Sequence, residues 1–163
     1  MTCLFELSIA LLITLLNGFF VMAEYSLVRI RKSRLDELIR QGKSRANTVL
    51  KMSEKLDTYL SATQLGITAS SLLLGWFGGP LLAEMFRGMF GVSAGTWYDH
   101  SLVFACAFLI IVFLHVVFGE LVPRTIALGK VEQVAMAVAY PLVFFHYLLY
   151  PLVVLFNRIS HAV

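Results

Sequence analysis

The chain has 163 residues, 59% of them hydrophobic and only 14% charged, with a mean hydropathy of +0.82 and a net charge of +3. Soluble domains average roughly 45–50% apolar and 25% charged residues. Composition therefore excludes an ordinary soluble domain and places the chain in a bilayer. At about 20 apolar residues per span, this length suits one membrane domain of three or four helices. Cys3 and Cys106 lie in apolar runs and match no metal or redox spacing. The N-terminus lacks a basic region and carries Glu6, so no cleaved signal peptide is expected.

Residues 7–23 read as the body of a first span, apolar apart from Ser8, Thr14 and the Asn17-Gly18 pair. An amide in mid-membrane needs a partner, so Asn17 is expected to hold a neighbouring helix, with a direct ion contact as the alternative. Glu24 and Ser26 follow at the boundary and offer two oxygens. Their ordinary roles would be an exposed helix-end charge and a hydroxyl bonded back to its own helix.

Residues 29–55 carry nine of the thirteen Lys and Arg side chains. The positive-inside rule puts this segment in the cytoplasm and the N-terminus outside. Leu35, Leu38 and Ile39, then Ala46, Val49 and Leu50, recur at helical spacing. Ser33 followed by Asp36 reads as an N-cap, and Gly42 divides the segment into a helical hairpin. Beside a span, a basic amphipathic hairpin fits anionic lipid better than nucleic acid.

Asp57 is expected to cap a second span. Ala62, Gly66 and Ser70 recur every fourth residue, and Gly75 and Gly79 repeat the pattern, which allows close helix approach and suits a dimer seam. Ser70 and Ser71 place two hydroxyls near mid-span that need partners. Pro80 reads as a kink towards the outer side. Residues 88–100 read as an outer connection, with Trp97 and Tyr98 in the interfacial belt and His100 solvated.

The third apolar run ends in His115 and then Phe118-Gly119-Glu120-Leu121-Val122-Pro123-Arg124. An ionisable residue at the edge of hydrocarbon is a functional-site candidate. Pro123 has no N–H, so in a helix the carbonyl of Gly119 loses its donor. A bare carbonyl beside the Glu120 carboxylate is a hard oxygen pair of the kind that coordinates magnesium, calcium or sodium. The competing reading is a proline kink with Glu120 paired to Arg124. Residues 131–156 are apolar again, but Pro141 and Pro151 are expected to break them into pieces too short to span. A kinked belt helix along the inner surface is preferred, with a fourth span as the alternative. The chain stops at Val163 without polar closure, as a domain cut from a longer protein would.

Asn17-Gly18-Phe19-Phe20, Ala23-Glu24, the run Thr63-Gln64-Leu65-Gly66-Ile67-Thr68-Ala69-Ser70-Ser71, and Gly119-Glu120-Leu121-Val122-Pro123 together resemble the transmembrane domain of the CorC/CNNM family. The basic segment from Arg31 to Leu35 fits as well, and the resemblance covers essentially the whole chain. Arg124 departs from it where lysine is expected, as does Ser26 where many members have a small apolar residue. The resemblance implies an all-α homodimeric domain in the cell membrane, with spans near 4–28, 58–86 and 101–122. It also implies a cytoplasmic hairpin at 31–56 and a belt helix at 130–160. It further implies sodium-coupled export of magnesium and a cytosolic CBS-pair domain in the full-length protein.

The leading expectation is a magnesium site formed by Glu120, Gly119, Ser70, Ser71 and Ser26, with sodium as the coupling ion. Glu24 and Asn17 would support the site from outside, and Pro123 and Gly66 would serve gating. The competitors are a non-transporting anchor and dimerisation module, and a passive divalent-cation channel. No enzyme is expected, because no metal-helix, nucleophile-elbow or phosphate-loop motif occurs.

Overall fold

The structure is a computed structural model. It describes the backbone of residues 2–90 and 97–161 and the side chains of residues 7–78, 105, 106 and 108–155. Seven α-helices and one π turn follow in the order α1 (Thr2–Arg29), α2 (Lys32–Arg40), α3 (Ser44–Glu54), α4 (Leu56–Phe90), α5 (Trp97–Leu114), the π turn (His115–Leu121), α6 (Val122–Gly129) and α7 (Val131–His161). The described residues contain no strand. In lipid a helix meets every backbone polar group within its own segment, which makes this the expected architecture.

α1 is the hub, packing against α4, α6, α7 and the π turn. Its buried face carries Phe20, Ala23 and Leu27, which join Leu35 and Leu38 of α2, Ala46, Val49 and Met52 of α3, and Val138, Ala139 and Leu142 of α7 in one core. The opposite face of α1 leaves Leu11, Leu12 and Leu15 exposed, as a surface against acyl chains would. Gly66 lets α4 approach α1 closely. A Cβ built there would lie 2.6 Å from three ring atoms of Phe20.

The basic segment forms the expected hairpin. Gly42 takes φ +80° between α2 and α3, a left-handed conformation that glycine adopts without a steric penalty. The expected caps do not form. α2 begins at Lys32, so Ser33 lies inside its first turn, and the N-cap Arg31 makes no side-chain capping bond. α4 likewise begins one residue before Asp57, which sits in the first turn, and its carbonyl accepts a hydrogen bond from Ser61. A carboxylate there still favours the helix through the dipole.

Three helical stretches among the described residues are long and apolar enough to cross a membrane: Leu7–Arg29, Phe108–Gly129 and Val131–Leu155. The first two overlap spans expected at 4–28 and 101–122, and the third is the expected belt helix. α4, expected to span at 58–86, is 35 residues long, and its side chains beyond Gly78 lie outside the described residues. α7 is long and apolar enough as well, because Pro141 and Pro151 lie inside one continuous helix rather than dividing it. Burial of Val138, Ala139 and Leu142 in the core holds the first of these prolines in helical register. Proline removes one ladder bond at each site, and packing compensates.

The third apolar run continues as helix through α6 to Gly129, beyond the expected membrane boundary near residue 122. α4 runs through Pro80 to Phe90, and α5 begins at Trp97. Of the expected outer connection at 88–100, residues 88–90 and 97–100 are helical and 91–96 lie outside the described residues, as do the side chains of Cys3, Pro80, Trp97, Tyr98 and His100. Cys106 is exposed.

Candidate functional site

The site is built where Pro123 disturbs the helical ladder. Proline is tolerated at the second position of α6, in the first turn of a helix. Upstream, the backbone widens into the seven-residue π turn, whose closing bond runs from the Val122 N–H to the Val117 carbonyl. Such i→i+5 turns are rare and are frequently found at functional sites.

The Gly119 carbonyl is not bare. The side-chain amide of Asn17 donates to it at 2.9 Å, from α1 and 102 residues away in sequence. Asn17 therefore supplies the donor that Pro123 lacks, as the interhelical reading expected. Because its nitrogen must face the carbonyl, its oxygen Oδ1 points elsewhere. That oxygen is buried and has no hydrogen-bond partner. Gly119 itself is wedged tightly: a Cβ would lie 3.0 Å from His115 Nδ1 and 3.1 Å from Asn17 Nδ2.

α4 joins through Ser71, whose Oγ lies 3.1 Å from Nε2 of the buried His115. The same Nε2 is 4.0 Å from Oε1 of Glu120. His115 Nδ1 is buried without a partner. The π turn thus gathers two polar relays, Asn17 with Gly119 and Ser71 with His115 and Glu120. Glu120 is half exposed, at 45% of its side chain. Arg124 does not pair with it in the way the kink reading required. The Arg124 guanidinium instead rests over the Tyr25 ring, 4.6 Å from its centre.

Ser70 and Ser26 are buried but bond within their own helices, Ser70 to the Gly66 carbonyl at 2.8 Å and Ser26 to the Ala23 carbonyl at 3.1 Å. Each hydroxyl has spent its proton and keeps acceptor lone pairs. Glu24 is partly buried on α1. Gly66 lies under Phe20, one turn before Ser70, and Pro123 packs within reach of a Cβ at Gly18, at 2.9 Å. Among the described residues, no three His, Cys, Asp or Glu side chains converge as a metal cluster. Any cation held here would meet one carboxylate and several neutral oxygens.

Two features escaped sequence reasoning. Arg34 of α2 reaches Glu132 of α7 at 2.7 Å and also pairs with Glu37, so the hairpin is tied to α7. The Glu132 and then the Glu37 carboxylate raise the Arg34 pKa further above its ordinary value. His146 is buried on α7, stacked on Tyr59 at 4.3 Å between ring centres, with neither ring nitrogen partnered. An i→i+3 Arg–Glu pair was visible in the sequence, but its third member was not.

Comparison with known proteins agrees with the helical arrangement. The family model described as the cyclin M (CNNM) transmembrane N-terminal domain matches residues 7–163. The chain is 41% identical over 143 residues to the UPF0053 protein YugS of Bacillus subtilis, covering 87% of this chain and 33% of that protein. It is 42% identical over 151 residues to YhdP of the same organism, covering 92% and 34%. An uncharacterized protein of Mycobacterium tuberculosis, Rv1841c, is 37% identical over 155 residues, covering 95% and 44%. The chain therefore spans a third to under a half of the length of these relatives. It is a multi-pass membrane protein whose apolar helices contact the bilayer, and it belongs to the CorC/CNNM family.

Proposed function

We propose that this chain is the membrane domain of a transporter that exports magnesium across the cell membrane in exchange for sodium. The observation that carries this reading is the buried, unpartnered Oδ1 of Asn17 beside the Gly119 carbonyl, within one π turn of the Glu120 carboxylate. Magnesium takes near-octahedral oxygen and keeps several waters. Glu120, the second lone pair of the Gly119 carbonyl, Asn17 Oδ1, and the hydroxyls of Ser71 and Ser70 offer such oxygens from three helices. Ser26 would join if α1 turned. A single carboxylate leaves a bound divalent ion with net positive charge, which favours release over capture.

In this reading α1, α4 and the α5–π–α6 unit cross the membrane. Thr63, Ser70 and Ser71 of α4 face its neighbours while Gln64 and Thr68 are exposed, and α7 lies as a belt. The basic residues of 29–55 set the hairpin in the cytoplasm and the N-terminus outside. The Ala62, Gly66 and Ser70 stripe of α4 is buried within the chain, so the homodimer rests on the resemblance alone, and a CBS-pair domain would act on the hairpin in the full-length protein. Alternating access would move α4 at Gly66 or the third span at Pro123.

The reading is tested by isothermal titration of the purified chain with magnesium, wild type against Glu120→Ala. Loss of binding in the variant is expected, and unchanged affinity would overturn the site. One observation favours a second reading, a non-transporting anchor: Ser26 and Ser70 already bond within their own helices. Magnesium flux into liposomes, with and without a sodium gradient, separates exchanger, passive channel and anchor.

A further inference from the structure

Two polar pockets open where the hairpin meets α7. The first, about 480 Å³, is lined by Arg29, Arg31 and Arg34 but also by Glu37 and Glu132. Its central base is already held, since Arg34 pairs with both carboxylates. The second, about 470 Å³, is lined by Lys43, Ser44 and Arg45 beyond the Gly42 turn and by Gln133, Met136 and Ala137 of α7. It holds two basic side chains and no acid. Neither Lys43 nor Arg45 forms an ion pair among the described residues. α3 begins inside it, so the helix dipole adds to the positive potential.

The lining of the second pocket is continuous with one face of α7. Arg45 lies over the Tyr140 ring, 5.6 Å from its centre. From there the face of α7 continues at helical spacing through Tyr140, Phe144, Tyr147 and Leu148, which are 52, 65, 72 and 60% exposed. Gln133 to Leu148 covers ~22 Å of helix at 1.5 Å per residue. A cationic pocket thus opens onto an apolar stripe long enough for one acyl chain, on the same helix face.

We infer that this face binds an anionic phospholipid. Its phosphodiester sits among Lys43, Ser44 and Arg45, and an acyl chain lies along Tyr140, Phe144 and Leu148. A free phosphate would leave the stripe uncovered. A second copy docked two-fold on this face would oppose its own basic patch. The charge complementarity selects an anion, and the stripe requires that anion to be an amphiphile. The inference does not depend on which ion the chain carries.

The test is native mass spectrometry of the purified chain released from detergent with phosphatidylglycerol or phosphatidylcholine added. Wild type is expected to retain phosphatidylglycerol preferentially. Lys43→Gln/Arg45→Gln is expected to lower that retention by about tenfold or more, because basic residues near the surface each attract anionic headgroups. The control pair Lys32→Gln/Lys51→Gln, exposed on the hairpin outside both pockets, should leave it nearly unchanged. Lys43→Gln alone keeps the Arg45–Tyr140 contact and should show a partial loss. Phe144→Ala should weaken retention of both lipids. Equal loss in both basic pairs would mean diffuse charge attraction and overturn the site. Displacement of phosphatidylglycerol by millimolar inorganic phosphate would make it a free-anion site and also overturn it. A shift from dimer to monomer in Phe144→Ala with lipid retention intact would assign the stripe to a second copy instead.

Discussion

Asn17 on α1 donates to the Gly119 carbonyl at 2.9 Å, the oxygen that Pro123 deprives of its own helical donor. A hydrogen bond between helices thus replaces one that proline removed within a helix. Interhelical hydrogen bonds in membranes contribute about 0.6 kcal/mol on average and up to ~1.7 kcal/mol. A buried carbonyl left unpaired falls at the upper end of that range. Asn17→Ala is therefore expected to destabilise the domain by about 1–2 kcal/mol. In a Pro123→Ala background the backbone regains a donor at 123, so the same substitution should cost less. The check is a double-mutant cycle on thermal or denaturant unfolding in detergent; strict additivity would mean that Asn17 does not stand in for the missing N–H.

Gly66 is a second position where α1 and α4 have no spare room. A Cβ there would lie 2.6 Å from Phe20, and that ring cannot swing away because Phe19 and Phe145 hold it at centroid distances of 5.3 and 5.1 Å. Overpacking of this kind costs roughly 1–3 kcal/mol. Gly66→Ala should lower the unfolding midpoint, and Phe20→Leu in the same chain should restore part of it. A Gly66→Ala midpoint equal to wild type would show that the helices separate without strain.

The helical architecture, the basic hairpin and its Gly42 turn could be read from sequence because each rests on local pattern: apolar runs, heptad-like spacing and a residue that accepts φ +80°. The unmet carbonyl of Gly119 could be inferred too, since proline chemistry is local. Its partner could not be assigned, because nothing in a sequence links position 17 to position 119. The π turn left no mark either, as its i→i+5 register is selected by packing around Gly119 and His115 rather than by composition. Pro141 and Pro151 sit inside the helix expected at 130–160, where a core contact through Ala139 and Leu142 outweighs one lost ladder bond. The capping role given to Ser33 failed because α2 starts two residues earlier than that cap requires, with Arg31 at the N-cap.

The Arg34–Glu132 contact joins the hairpin to α7 through partly exposed charges. Exposed ion pairs contribute little to global stability and are screened by salt. Arg34→Ala is expected to leave the unfolding midpoint nearly unchanged while raising hydrogen exchange in residues 32–54. Exchange should rise in wild type too as ionic strength increases. Unchanged hairpin exchange in the variant would show that the buried contacts of Leu35, Leu38, Val49 and Met52 hold the hairpin alone.

Ser70 and Ser71 are adjacent yet differently engaged, which makes their roles separable. The Ser70 hydroxyl donates to its own helix, a bond that contributes little to helix stability. Ser70→Ala should therefore barely move the unfolding midpoint. Any fall in magnesium affinity in that variant would come from the lost oxygen ligand. Ser71 instead meets His115 across the α4–π contact. Ser71→Ala leaves a second nitrogen of a buried histidine without its partner, so it should lower stability by about 1 kcal/mol as well as perturb binding. The informative measurement is magnesium titration and unfolding on the two variants side by side. Wild-type affinity in Ser70→Ala would remove that hydroxyl from the ligand set. Wild-type stability in Ser71→Ala would show that His115 does not depend on α4 for its position beside Glu120.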